Sequence, residues 1–346
     1  MIKLSACFIF GMASIVVLYF LSPRINSREN GFIRLFPPHR LDYIHDRKLD
    51  ADGNYLAGWS NSGFYLGNSQ NPDKSIYVDS SLSHLSVQSL KIKKDRSRYA
   101  FYLRTHVDSP FAMIYEGITP ILWSGRLDDS VMTQKSIDTS HFLNALPVSN
   151  SSWILKTYDP KLSQVILIKK DYASNYQYNN RYILDKSAEG IFSTDGTLEF
   201  DPESKHLFYI YSYKNKFVCL DSNLKSIYIG KTIDTIRHPV IQILADENRK
   251  MTSVAGSSIL VNKMAAVSHN CLFVRSNLLA NNENKSIFDR TSVIDIYDDR
   301  TGNYQYSFYI PDFQEEKMMS FQVRKDRLIA LYDHYVVLYR LNYLTE

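Results

Sequence analysis

Cysteine is scarce in this chain, and the few cysteines present lie far apart. Of 346 residues only Cys7, Cys219 and Cys271 carry a thiol. No pair has the C-x-x-C spacing of a zinc ribbon or a thioredoxin-like motif, and three thiols cannot form a dense disulfide framework. Cys219 and Cys271 lie inside apolar runs, so we expect buried free thiols that pack as small hydrophobic side chains. The alternative is a disulfide between neighbouring units of the fold.

The sequence also lacks the short motifs that identify common enzyme classes. It contains no G-x-S-x-G nucleophile elbow, no G-x-x-x-x-G-K-[ST] phosphate loop and no G-x-G-x-x-G dinucleotide fingerprint. None of the nine histidines forms the H-E-x-x-H or H-x-H spacing that places two imidazoles on one metal. We therefore predict no catalytic residue, no metal site and no cofactor. A search for local motifs would nevertheless miss a site built from residues that are far apart in sequence and that the fold gathers around one axis.

A strong net charge of either sign is absent. The chain has 40 Lys and Arg against 36 Asp and Glu, which leaves a formal net charge of +4 spread along the sequence. Proteins that bind nucleic acid present clustered cations to the phosphate backbone. We therefore predict no nucleic-acid partner.

Long helical patterns are missing from the body of the chain, and aromatic residues outnumber glycine. The 25 Tyr and 18 Phe against 13 Gly favour strands, because these side chains suit a pleated, half-buried surface. Short apolar runs alternate with clusters of Asp, Asn, Ser, Gly and Lys, which is typical of strands joined by turns. The runs group into about six units with a period of about 40–50 residues, which predicts an all-β fold, a six-bladed β-propeller. The clearest unit covers 197–200, 206–211, 216–220 and 226–229.

The last unit contains only three apolar runs, one fewer than a complete blade. The run at residues 32–36, FIRLF, would supply the missing strand from the other end of the body and close the ring. Closure removes the unpaired edge that invites aggregation. A β-sandwich or a twisted open sheet is the alternative, although a sandwich needs fewer strands than this sequence offers.

The first thirty residues contain an apolar segment. Residues 4–21 hold no charge, and eighteen helical residues reach about 27 Å, enough for the core of a bilayer. No A-x-A-like cleavage site follows, so an uncleaved signal anchor is favoured over a removed signal peptide. The lipobox-like Leu4-Ser5-Ala6-Cys7 precedes most of the apolar run rather than following it. We therefore favour a membrane-buried Cys7 over a lipidated one.

These observations divide the chain into three parts. Residues 1–21 are predicted to be a signal anchor or transmembrane helix, residues 22–31 a linker, and residues 32–346 the propeller. Positive residues flank the apolar run on both sides, so charge does not decide the orientation. The short N-terminal flank and the large C-terminal body favour export. We expect a single-pass cell-membrane protein, a monomer, with its body in the periplasm or otherwise outside the cytoplasm.

Two stretches resemble the TolB-like six-bladed propeller proteins of Bacteroidetes-type bacteria. One is GIFSTDGTLEF at residues 190–200, which is similar to the strand-turn-strand phrase of TolB blades but has Thr194 where proline is usual. The other is SVIDIYDDRTGNYQYSFYI with the following FQVRKDRLIALYDHYVVLYRLN. The resemblance covers residues 35 to 343 and implies the propeller fold. It implies no activity and no catalytic residues.

Seven residues are candidates for a binding surface. Residues just past an apolar run or between units could line the mouth of a propeller, and exposed tyrosines anchor interfaces and stack on sugars. Ordinary loop residues and a simple connection between blades are the alternatives. The candidates are Arg104, His106, Tyr176, Tyr178, Asp195, Arg237 and His238.

Two functions fit this sequence. The first is a non-enzymatic binding or scaffold module, held at the membrane, that engages a protein or a glycan across one propeller face. The second is a propeller enzyme, a lyase or lactonase-type hydrolase, with a metal on the axis. The absence of catalytic motifs favours the first.

Overall fold

The fold is almost entirely β-strand. A computed structural model describes residues 11–12, 30–92, 103–129, 131–135, 141–174, 176–186, 191–246, 251–255 and 258–343. Within these residues the helical structure is limited to Gly11 and Met12, the 3-10 turn Ile191–Thr194 and the short helix α1 (Lys285–Phe288). The prediction of an all-β chain is confirmed.

The predicted membrane-spanning segment, residues 4–21, lies outside the described residues apart from Gly11 and Met12. In the part of the chain that the structure describes, no helix is both long enough and apolar enough to cross a bilayer.

The strands form six consecutive units of four antiparallel strands. The first two units make one eight-stranded sheet, because β2 and β6 pair in parallel at Gly58–Val107 and Trp59–Asp108. Unit one consists of β2 (Asn54–Trp59), β3 (Gly63–Asn68), β4 (Lys74–Asp79) and β5 (Leu85–Ser89). Unit two consists of β6 (Arg104–Asp108), β7 (Phe111–Glu116), β8 (Ile121–Arg126) and β9 (Thr133–Lys135).

The remaining units are separate sheets. Unit three consists of β10 (Phe142–Pro147), β11 (Ser152–Asp159), β12 (Gln164–Asp171) and β13 (Tyr176–Asn180). Unit four has β14 (Gly196–Phe200), β15 (His206–Tyr211), β16 (Phe217–Asp221) and β17 (Ser226–Gly230), as predicted from its apolar runs. The hairpin of β18 (Ile243–Asp246) and β19 (Met251–Val254) follows, outside the six units. Unit five has β20 (Asn262–Ser268), β21 (Cys271–Ser276), β22 (Thr291–Asp298) and β23 (Tyr304–Pro311). Unit six has β24 (Ser320–Arg324), β25 (Arg327–Leu331), β26 (Tyr335–Leu341) and β1 (Leu41–Lys48).

Burial differs between inner and outer strands. Every residue of β3 and of β21 is buried, whereas most of β13 and β17 is exposed. A strand that other sheets cover on both faces takes mostly apolar or small residues, as in CLFVRS, where the buried Arg275 donates to the backbone oxygen of Met318 at 2.6 Å. An outer strand has only part of its surface covered and tolerates polar residues such as those of YQYNN.

Six apolar clusters connect the units in a closed sequence. They lie between units one and two, two and three, three and four, four and five, five and six, and six and one. The first strands of neighbouring units also contact one another, with β24 next to β2, β2 next to β6, β10 next to β14, and β20 between β14 and β24. Each unit therefore buries apolar side chains against both of its neighbours.

The prediction that residues 32–36 close the last unit is wrong. The structure places β1 (Leu41–Lys48) against β26, with register pairs from Leu41–Leu341 to Lys48–Tyr335. Unit six is completed from the N-terminal side, as expected, but by a later and more polar segment. The β1 sequence, LDYIHDRK, is largely exposed or half-buried and lacks the apolar pattern that identifies an inner strand.

Residues 30–36, here called the strap, run across unit five instead. Arg34 is fully buried and binds Asp295 on β22 through Nε–Oδ1 at 2.7 Å and Nη2–Oδ2 at 3.2 Å. Its Nη1 donates to Glu283 and to the backbone oxygen of Leu278. A buried guanidinium requires partners for its charge and its donors, and these partners lie only in unit five.

The two described cysteines are buried free thiols, as predicted. Cys219 lies on β16 in the cluster between units four and five, and Cys271 lies on β21 in the cluster between units five and six. Burial raises the pKa of each thiol to about 12. They pack as small hydrophobic side chains.

Candidate binding site

A cleft of about 280 Å³ opens beside the outer strands of unit three. It lies at the end of β11, over β12 and along β13. We call it the unit-three cleft. Its described lining residues are Thr157, Tyr158, Asp159, Pro160, Lys161, Ile166, Ile168, Gln177, Asn179 and Arg181.

The floor and one wall of the cleft follow from strand alternation. Ile168 on β12 pairs with Asn179 on β13, and residues directly opposite each other in a sheet point to the same face. Gln177 lies two residues from Asn179 and therefore shares that face. Ile166 and Ile168 are buried in the cluster between units two and three. The cleft thus combines an apolar floor with two amide side chains.

The rim of the cleft holds an ion pair. Asp159 is buried and accepts the backbone N–H groups of Lys161 at 2.9 Å and Leu162 at 3.3 Å. Its other oxygen lies 3.4 Å from Nε of Arg181, which is half-exposed. The two backbone donors hold the carboxylate in place, and the carboxylate in turn positions the guanidinium at the edge of the cleft. A planar guanidinium in a fixed orientation suits recognition of ligand oxygens.

Tyr176 and Tyr178 lie on β13, a strand that was not predicted, and on the face of that strand opposite the cleft. Both are exposed on β13, and Tyr178 pairs with Lys169. That face looks toward unit four, where Lys169 donates to Asn223 at 2.7 Å and Asn180 donates to the backbone oxygen of Leu224 at 3.2 Å. The tyrosine-rich stretch therefore lies next to the cleft, which is lined by the intervening amides rather than by the tyrosines.

Asp195 joins two units rather than lining the cleft. Its Oδ1 accepts Nζ of Lys156 on β11 at 2.7 Å and the backbone N–H of Gly196 at 2.9 Å. Lys156 also donates to the backbone oxygen of Gly196 at 2.5 Å. These bonds connect the second strand of unit three to the first strand of unit four, a structural role.

Arg104 and His106 lie on β6, the first strand of unit two. The guanidinium of Arg104 stacks over the ring of Tyr55 on β2 at 4.6 Å. Burial lowers the pKa of His106 to about 4, so its imidazole is neutral at physiological pH. Arg104 therefore contacts unit one, and His106 is poorly suited to carry a charge.

Arg237 and His238 are exposed in the segment between β17 and β18. This segment touches the strap, since Thr235 donates to the backbone oxygen of Asn30 at 2.6 Å. None of the seven predicted residues belongs to the described lining of the unit-three cleft. Arg237 and His238 are neighbours in one segment, and Tyr176 and Tyr178 lie on one strand. The two pairs lie in different parts of the fold, so the structure does not combine them into one site.

One titratable residue escaped the sequence reasoning. Glu199 lies on β14, where desolvation raises the pKa of its half-buried carboxyl to about 8. Alternation along GTLEF, with Leu198 buried beside it, would place Glu199 on an exposed face, so no local sequence signal reveals this environment. Glu199 is mostly protonated at neutral pH.

Among the residues that the structure describes, no group of three or more His, Cys, Asp or Glu side chains lies in an arrangement that could bind a metal ion.

Comparison with known proteins gives a likeness in fold. No protein-family model matches the sequence, and no curated protein matches it. The crystal structure of a member of the DUF4221 family from Bacteroides vulgatus is similar, with a TM-score of 0.52 over 88% of this chain and 99% of that chain. The sequence identity is 11%. This likeness shows the fold alone.

Proposed function

We propose that the six units are the blades of a six-bladed β-propeller related to the TolB-like proteins. Three observations support the ring: six apolar clusters that return from unit six to unit one, contacts between first strands, and the pairing of β1 with β26. In a propeller each blade is a four-stranded sheet whose first strand faces the axis, and the last blade shares strands from both ends of the chain. The fold likeness to the Bacteroides vulgatus protein is compatible with this arrangement.

We infer that the propeller is a non-enzymatic binding module whose unit-three cleft takes a glycan. The observation that carries this proposal is the composition of the cleft. Ile166 and Ile168 offer an apolar floor to the C–H face of a sugar ring, and Tyr158 is exposed at the rim. Gln177 and Asn179 each present donors and an acceptor, which match hydroxyl groups that do the same. A volume of about 280 Å³ suits one or two sugar rings.

The location of the module is part of the proposal. The uncharged segment at residues 4–21 would hold the body at a membrane, outside the cytoplasm, where glycans are exposed. The described strap begins at Asn30, so the body would remain close to the bilayer.

A glycan microarray probed with the purified full-length chain tests this function. We expect the strongest bound saccharide to be confirmed by calorimetric titration. The double variant Gln177→Ala/Asn179→Ala should bind it at least about tenfold more weakly, because two hydrogen-bonding side chains are lost.

The matched control lies on the same strand. Tyr176→Ala/Tyr178→Ala removes exposed side chains from the opposite face of β13 and should leave the dissociation constant unchanged. If the tyrosine variant binds more weakly and the amide variant binds normally, the binding site lies on the tyrosine face of β13. Failure of the wild-type protein to bind any saccharide would reject a glycan ligand.

A further inference from the structure

The strap presents apolar side chains to solvent in a fixed position. Phe32 and Arg34 point into unit five and are buried, whereas Ile33 is 62% exposed and Leu35 is 57% exposed. The strap does not move freely, because Arg34 is held by Asp295 and Glu283. The two exposed apolar residues are therefore held outward by their neighbours in the chain.

More apolar surface lies beside the strap. Phe32 packs with Ile236 and Ile259, and Ile259 donates its backbone N–H to the oxygen of Val240 at 3.0 Å. Val240 is itself 45% exposed. Next along the chain is the hairpin of β18 and β19, which belongs to none of the six units and carries Leu244 at 58% exposure.

One cationic side chain, Arg237, accompanies this apolar surface. Arg237 and His238 are exposed directly before Pro239 and Val240. Asp234, three residues before Arg237, is buried, and its carboxylate accepts from Thr232 at 2.5 Å and from the backbone of Ile236 at 2.9 Å. We call the set Ile33, Leu35, Arg237, His238, Val240 and Leu244 the strap face. Exposed apolar residues beside a cationic side chain suit the boundary between the headgroups and the acyl chains of an anionic bilayer.

We propose that the strap face docks on the surface of an anionic lipid bilayer. The proposal rests on the membrane attachment suggested above and adds the orientation of the body. The uncharged run ends at Leu21, and the strap begins at Asn30. The eight intervening residues reach at most about 28 Å when extended. An anchor in the bilayer would thus deliver the strap face, rather than a remote blade, to the lipid headgroups.

Docking on lipid explains why these apolar residues are exposed beside Arg237. Ile33, Leu35, Val240 and Leu244 would enter the region between headgroups and acyl chains, and Arg237 would meet lipid phosphates. The attraction between Arg237 and an anionic surface falls with ionic strength.

Site-specific fluorescence on the full chain in vesicles tests this orientation. A Cys7→Ser background leaves Cys219 and Cys271, which are buried. An environment-sensitive label is placed at Leu35→Cys, at Val240→Cys, or at Val87→Cys as a control. Val87 is 64% exposed on β5, the outer strand of unit one. The vesicles contain phosphatidylcholine brominated in its acyl chains, with or without phosphatidylserine.

We expect the labels at positions 35 and 240 to shift to shorter wavelength and to lose most of their fluorescence to the brominated lipid. The loss should be larger with phosphatidylserine, and Arg237→Glu should reduce it. The label at position 87 should show neither change. A protein that floats with the vesicles while all three labels behave alike would overturn docking and leave the anchor intact. A protein that does not float would overturn the anchor and the docking together.

Discussion

Arg34 and Asp295 are 261 residues apart in sequence and form a buried ion pair with two parallel hydrogen bonds. Asp295 also accepts the hydroxyl of Ser307 at 2.6 Å, so the carboxylate is bonded from both sides. The pair attaches the strap to unit five.

Replacing Arg34 should destabilise the fold strongly. The variant Arg34→Met leaves Asp295 and Glu283 buried without their cation, and breaking one side of such a pair lowers stability by about 3–5 kcal/mol. Urea unfolding followed by tyrosine and tryptophan fluorescence measures the change. The exposed control Arg237→Ala should shift the free energy of unfolding by less than about 0.5 kcal/mol. Equal stability of both variants would contradict a structural role for the pair.

The same pair explains the error in predicting the closing strand. Residues 32–36 form an apolar run typical of a strand, but Arg34 needs partners for its charge, and unit five provides them. The true closing strand, β1, is polar because much of its surface remains exposed. Local pattern identified all four strands of unit four, including the outer strand β17 with its apolar residues Ile227 and Ile229. It did not identify β1, whose sequence is largely polar and whose place depends on pairing with β26.

Prediction of the candidate site from the sequence meets a similar limit. The tyrosines of β13 stand out in the sequence, whereas the neighbouring amides do not. Which face of β13 borders the cleft depends on Ile166 and Ile168, which pack against unit two. Such contacts between units are not encoded in any local motif. The buried, free state of Cys219 was predictable because it depends only on the apolar run around it.

The closing strand itself can be tested by truncation. Deletion of residues 1–29 leaves the strap and β1 in place and should give a folded protein. Deletion of residues 1–40 removes the strap and keeps β1, whereas deletion of residues 1–48 removes both and exposes the edge of β26, which should add aggregation or a further large fall in melting temperature. Light scattering and thermal unfolding measure these outcomes. Similar behaviour of the 1–40 and 1–48 truncations would show that β1 is dispensable.

Gly58 should be intolerant of any side chain. Its φ is +147°, and a Cβ there would lie 1.7 Å from the backbone oxygen of Val107. Gly58→Ala must therefore separate β2 from β6, at a loss of about 2–4 kcal/mol in chemical denaturation. At Gly125 the nearest atom is a carboxylate oxygen of Asp129, at the end of a flexible side chain. Gly125→Ala should therefore lower the free energy of unfolding much less than Gly58→Ala. Equal losses of stability in the two variants would contradict the close approach of the backbone at Gly58.

Cys219 and Cys271 should not react while the protein is folded. Burial raises the pKa of each to about 12, and only the thiolate is an effective nucleophile. In a Cys7→Ser background at pH 8, an aromatic disulfide reagent should modify no thiol in buffer and both in urea. A cysteine introduced at the exposed position 35 should react at once in either condition. Rapid modification of the native background protein would contradict the burial.

Glu199 and His106 predict opposite effects of pH on stability. Burial raises the pKa of Glu199 from 4.5 to about 8, so its contribution to stability is complete below pH 4.5 and is lost as the pH rises toward 8. Burial lowers the pKa of His106 from 6.5 to about 4, so its contribution is complete above pH 6.5 and is lost as the pH falls toward 4.

Below pH 6.5 the changes in stability that arise from Glu199 and His106 oppose each other. Above pH 6.5, of these two residues only Glu199 lowers the stability as the pH rises. The free energy of unfolding should therefore fall by about 2 kcal/mol between pH 6.5 and 8. Glu199→Gln carries no ionisable carboxyl, so it should abolish this fall and be more stable than the wild type at pH 8. The exposed control Glu203→Gln should keep the wild-type slope. Urea unfolding across this pH range decides the matter, since a slope that persists in Glu199→Gln would assign the pH dependence to another group.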